Sequence, residues 1–163
     1  MKKLTVALSI VLILMFAMFA FGSGEDTSTD QGTGSADTTT SEANIGEYKV
    51  EIKSCRLAKD YAGKDVVIVK YVFTNVSDDD AAAFYTALDA KVYQDGVGLN
   101  EAYILGESAN YSTDNQTKEI KKGASIEVEE AYELNDTTTD IEVEVTEWIS
   151  FSNTKITKTF TIE

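Results

Sequence analysis

The 163-residue chain contains no histidine, no proline and a single cysteine, Cys55. Without histidine there is no Ser-His-Asp or Cys-His catalysis and no histidine-based zinc site. A lone cysteine rules out an intrachain disulfide, so the fold must stand on its core alone. Without proline there are no proline-stiffened linkers and no cis-proline turns, and turning falls to Gly, Asn and Asp. Basic residues are also scarce, 14 against 28 acids, for a net charge of −14. Such a surface repels phosphate backbones and anionic lipid heads, which argues against nucleic acid as a partner.

The one long apolar run lies at the start. Met1-Lys2-Lys3 is followed by Leu4 to Phe21, which is almost wholly apolar, and Phe21-Gly22-Ser23-Gly24 closes it. A basic start, an apolar middle and a small-residue end make an export signal. Ala20 and Gly22 stand at the −3 and −1 positions of a cut after Gly22, so residues 1–22 are expected to be a signal peptide. At about 18 residues the run is near the lower limit for spanning a bilayer, and a retained anchor is the alternative. The region also has the form of a lipoprotein signal, but Ser23 stands where the lipidated cysteine belongs, and a hydroxyl cannot form the thioether. Without Lys2 and Lys3, twelve bases face twenty-eight acids, a net −16 for residues 23–163. Such charge favours cationic partners or metal ions at long range, and it also simply keeps an exported protein soluble.

Residues 23–44 are Ser, Thr, Gly, Asp and Glu with almost nothing apolar, and are expected to be a disordered acidic linker. From Ile45 the composition changes. Residues 45–163 have the size of one domain and enough apolar content for an unstapled core. Short β-branched and aromatic runs alternate there with Gly, Asn and Asp. Tyr48, Val50 and Ile52 alternate with Lys49, Glu51 and Lys53, a half-buried strand. The alternation slips after Ser54, where Cys55 and Leu57 carry the apolar face onward, so a bulge or a change of sheet is expected. Val66 to Phe73 is apolar on both faces and should be a central strand. Residues 81–86 are expected to form a helical turn or an irregular crossing. Leu88 to Tyr93 is the next strand, ended by the turn signal Asp95-Gly96. Tyr103-Ile104-Leu105 is a short strand, 106–118 a long polar loop, and Lys121-Lys122-Gly123 a turn. Ile126, Val128, Tyr132 and Leu134 share a face, which Glu130 interrupts, so a bulge or a strand rim is expected there. Ile141, Val143, Val145 and Ile149 form one strand, and Ile156, Phe160 and Ile162 its hairpin partner. Seven or eight strands without a convincing amphipathic helix give an all-β, antiparallel β-sandwich.

From Gly63 to Thr146 the order of these features resembles a family of exported bacterial domains. It is the group with an immunoglobulin-like sandwich related to a secreted mycobacterial antigen, mostly of unknown function. The stretches that carry the resemblance are Gly63 to Val69 running into Phe73-Thr74-Asn75-Val76-Ser77, Leu88 to Tyr93 with Asp95-Gly96, Ile120 to Gly123, and Asp140-Ile141-Glu142-Val143. The resemblance implies an extracytoplasmic immunoglobulin-like fold with no established activity and no catalytic residues to transfer. Lys122 departs from the family, which often has proline there, and the usual lipidation cysteine is missing.

Candidate chemistry is thin. Asp78-Asp79-Asp80 lacks the loop spacing of a calcium site and is expected to be a solvated turn, as are Asp136 and Asp140. No pair among 28 acids can be singled out as a glycosidase dyad. Cys55 is expected to be a small buried hydrophobe, since no base stands beside it. Trp148 and Phe151 flank the bend before the last strand; covering the core edge is the expected role of Trp148, and an exposed anchor the alternative. Tyr103 and Tyr111 bracket the long loop and pose the same choice. The expectation is therefore a secreted or cell-surface binding module with no assigned catalytic, cofactor-binding or metal residue, and not an enzyme. Its partner would be an extracellular protein or an envelope component. It would meet a membrane only through an uncleaved N-terminal segment. The alternative function is inhibition of an extracellular enzyme by insertion of loop 106–118.

Overall fold

The computed structural model describes residues 41–78, 81–104, 110–149 and 154–162. The expected signal peptide, and the linker up to Thr40, lie outside them. Eight strands and one helical turn are present among the described residues: β1 (Glu42–Ile45), β2 (Tyr48–Lys59), β3 (Asp65–Asn75), α1 (Phe84–Ala87), β4 (Leu88–Gln94), β5 (Val97–Gly98), β6 (Ser125–Glu133), β7 (Ile141–Glu147) and β8 (Lys155–Phe160). They form two four-stranded sheets, β1-β2-β3-β6 and β5-β4-β7-β8, with every named pair antiparallel. The expected all-β sandwich is thus present. Glu42, Ala43 and Asn44, placed in the linker by composition, are instead paired with Glu51, Val50 and Lys49.

Each sheet turns one face to a shared core, as the period-two alternation requires. Val67, Val69, Tyr71 and Phe73 of β3 pack there with Val128 and Tyr132 of β6, Val92 of β4, and Ile141, Val143 and Val145 of β7. Phe84 of α1 joins them, 5.2 Å from the Tyr71 ring and 5.9 Å, edge-on, from that of Phe73. The other face of β3 is also covered. Val66 and Ile68 pack with Ala102 and Ala131, and Ile104 and Tyr111 close over them. This second cluster explains why β3 is apolar on both faces: the long loop, not a third sheet, lies on its back.

The slip in β2 is a bulge. Register passes from Ile52↔Tyr71 to Ser54↔Lys70, leaving Lys53 as the extra residue. Parity therefore changes, and Cys55 and Leu57 continue the side begun by Val50 and Ile52. The Lys158 ammonium on β8 donates to the carbonyls of Ile52, at 2.9 Å, and Lys53, at 3.0 Å, and so ties the bulge to the other sheet.

Turn chemistry follows the residues. Asp95 and Gly96 both have positive φ, 49° and 73°, as a two-residue type I′ hairpin requires. The β1–β2 turn places Gly46 at φ 58°. A β-carbon there would collide with the Glu147 carboxylate.

Buried polar side chains fasten loops to this frame. Gln94 is 2% exposed. Its amide donates to the carbonyls of Asp136, at 3.2 Å, and Thr139, at 3.0 Å, and its oxygen accepts from the Asn135 amide at 2.8 Å. Gln94→Leu should keep the volume but orphan three backbone groups, lowering stability by about 2–4 kcal/mol in urea unfolding. An unchanged midpoint would mean that water replaces the clamp.

Candidate binding recess

β6 is an edge of its sheet, and an edge strand presents unpaired N–H and C=O groups. Here residues 100–102 and the long loop take up several of them. The Asn115 side chain donates to the Glu127 carbonyl at 2.9 Å, and Gln116 to that of Glu129 at 2.6 Å. Further along, the Ala102 amide donates to the Ala131 carbonyl, and the Glu133 amide to that of Asn100. Only one bridge, Glu101↔Tyr132, resembles strand pairing. Among the described residues, the strand expected at 103–105 is therefore absent: Tyr103 and Ile104 leave the edge, and Tyr103 is 78% exposed.

Two recesses flank this seam. The first, about 450 Å³, lies on the outer face of β3 and β6 and is lined by Lys70, Glu127, Glu129 and residues 110–112 and 115. Its charges satisfy one another. Lys53 and Lys70 pair with Glu127 at 2.5 and 3.3 Å, and the Arg56 guanidinium grips both oxygens of Glu129 at 2.6 and 3.0 Å. Such a network ties three strands together and leaves little unmatched charge for a ligand.

The second recess, about 310 Å³, is of another kind. Tyr85 from α1, Tyr103 and Tyr111 from the loop, Glu101, Gln116 and Glu130 line it, with Ala102, Ile104, Thr113 and Ala131. No Lys or Arg is among these residues. Glu130 is the unusual member. Burial pushes its carboxyl up to about 7, against a hydrogen bond from Tyr132 that acts the other way; Glu101 and Asp89 raise it further. The Tyr132 hydroxyl lies 2.8 Å from Glu130 Oε2 and 3.2 Å from the Ala90 carbonyl on the opposite sheet. It is thus one link between the recess and the core. Beneath it the Tyr71 hydroxyl is wholly buried and makes no hydrogen bond of good geometry among the described residues. Burial, first of all, holds the Tyr71 and Tyr132 phenols well above the usual range.

Glu130 was legible as an anomaly, a carboxylate on an apolar face. The β3–β6 register runs unbroken from Val66↔Glu133 to Thr74↔Ser125, so the expected bulge is absent; Glu130 is mid-strand along β6, but β6 is the edge of its sheet, so the residue does lie at a rim. The hydroxyl of Tyr132 and the open recess do what a bulge would have done: they keep the carboxyl from being stranded among hydrocarbon.

The other sequence candidates fall elsewhere. Asp136 is a turn cap: one of its oxygens accepts from the amides of Thr138 and Thr139 at 2.8 and 2.7 Å, holding its pKa down at about 2. Asp78 pairs with Lys122, and Asp79 and Asp80 lie outside the described residues. Among the described residues no three His, Cys, Asp or Glu side chains gather as metal ligands do. Cys55 is half-buried, and burial raises its thiol pKa, the opposite of a reactive thiolate. Trp148 does not cover the core edge as expected; it is 60% exposed in a turn, with Ile149 beside it at 74%. Tyr111 packs inward and Tyr103 outward, so the two loop tyrosines divide the roles open to both.

Residues 23–147 match the model of DUF5067, a domain of unknown function. The chain belongs to that family. The match runs to the last residue of β7, so β8 lies beyond it. Among solved structures, the chain is similar to the crystal structure of a putative lipoprotein (ycdA) from Bacillus subtilis. The TM-score is 0.56 at 15% identity, covering 74% of this chain. The chain spans 38% of that protein's length, and at such identity the likeness concerns the fold. No curated protein matches.

Proposed function

We propose that this DUF5067 chain is an exported, cell-surface or secreted binding module with an immunoglobulin-like sandwich, and that it takes its ligand in the tyrosine-lined recess. The connectivity supports the finer fold reading. β2-β3-β6 against β5-β4-β7-β8 follows the A-B-E and C′-C-F-G order of immunoglobulin-like domains, with β1 an added hairpin strand. The leader-like residues 1–22 and the lipoprotein neighbour support an extracytoplasmic place.

The recess carries the binding reading. Aromatic walls and one poorly compensated carboxyl, set on a strand rather than on a free loop, are what a small-ligand site needs. The part of loop 106–118 that is described lies along β6 and does not protrude, so nothing there favours the inhibitor alternative. We read the recess as a binding site and not a catalytic one, since no activated nucleophile stands in it.

Two measurements test this. The full-length chain, expressed in a bacterium, should be digested by protease added to intact cells; complete protection would overturn the exported location. Envelope material captured by the protein should be lost with Tyr103→Ala, a change at an exposed ring that leaves the core alone. Capture indifferent to that change would remove the recess as the site.

A further inference from the structure

We propose that the recess beside β6 binds a small organic cation bearing an ammonium group, an inference that rests on the reading of the recess as the binding site. Three tyrosines line it, and Tyr85 and Tyr103 are 58% and 78% exposed, which gives an incoming cation ring surface to reach. Aromatic faces attract ammonium groups through their quadrupole, and most strongly where water is displaced. Glu130 and Glu101 lie in the same lining, with no cationic side chain there to neutralise them. Anionic ligands are disfavoured twice, by these carboxyls and by the net charge of −14. A volume of about 310 Å³ fits a small molecule rather than a folded partner. The first recess differs in its charges: its carboxylates already hold Lys53, Lys70 and Arg56.

In this arrangement Glu130 acts as the counter-ion and the rings as walls. The groups that act on Glu130 are Tyr132 on its own strand, Tyr71 of β3, Asp89 of β4, and Glu101 and Tyr111 of the loop. All are acids or phenols; Asp89 is paired with Lys91 at 2.8 Å, so a bound ammonium is the one positive charge within the recess lining itself. Binding should then favour the ionised carboxyl, and affinity should rise from about pH 6 to pH 8.

Calorimetric titration of the full-length protein with tetramethylammonium and with butylammonium tests the inference, with neopentyl alcohol as the neutral probe of similar shape. Both cations should bind, and the alcohol at least about tenfold more weakly. Tyr103→Ala and Tyr85→Ala should each weaken binding roughly two- to thirtyfold, and Tyr103→Phe should restore it. Glu130→Gln should abolish the pH dependence while the far-ultraviolet circular dichroism stays that of the wild type. Equal binding of the alcohol would overturn the cation and leave the recess standing. No binding of any probe, with envelope capture still lost in Tyr103→Ala, would likewise overturn the cation alone. No binding, with capture indifferent to that variant, would overturn both readings.

Discussion

At pH 8 the Glu130→Gln variant should be more stable than the natural protein by about 3 kcal/mol, and at pH 4.5 the two should be nearly equal. Glu130 titrates near 7 in the folded chain, against an ordinary value of 4.5. Between those values the folded state keeps a proton that the unfolded state has lost. The unfolded state binds fewer protons there, so stability falls as pH rises through the window and levels off above about 7. This is the reverse of a salt-bridged carboxylate. A glutamine cannot ionise, so it escapes the cost of charging in a half-dry site, and its oxygen still accepts from Tyr132. Urea midpoints of both proteins at several pH values measure the effect. A variant that is less stable at pH 8 would mean that the carboxylate is better solvated than its burial implies.

Phe84→Ala should cost about 3–5 kcal/mol, a large share of the 5–15 kcal/mol that holds a typical domain together. Phe84 is 1% exposed and its ring bridges Tyr71 and Phe73. It sits on a helix of four residues, far too short to hold itself. The anchor therefore comes from the side chain: burying Phe84 fixes the turn, and the turn sets Tyr85 at the recess. Truncation should leave a cavity between the sheets, and it should also weaken binding in a protein still folded at low temperature. Phe84→Leu should restore most of the stability. Thermal unfolding with Tyr85 fluorescence cannot separate the rings of a chain with eight tyrosines, so stability should be read by circular dichroism and binding by calorimetry.

Much of the frame was legible because local pattern and final burial agree. Val66 to Phe73 is apolar on both sides in sequence and covered on both sides in space. Asp95-Gly96 turns where it should, and the parity change near Ser54 is the bulge at Lys53. What was not legible depends on contacts distant in sequence. Glu130 announced a disturbance, but its remedy, a hydroxyl two residues on and an open recess lined by residues 85, 101–104, 111, 113 and 116, is set by tertiary packing. The 103–105 segment has the composition of a strand, yet the edge it would pair with is occupied by the side chains of Asn115 and Gln116. Trp148 departs from its expected place for a similar reason. The Trp148 amide bonds the Ala87 carbonyl, which fixes the turn with the indole outward.

The amide clasp along β6 reaches beyond this one molecule. Carboxamide groups occupy the Glu127 and Glu129 carbonyls but offer no template on which another backbone could zip. Neighbouring copies of the chain are thereby denied one route to fibre growth. A protein that docked by adding its own strand would have to approach β1, β5 or β8 instead.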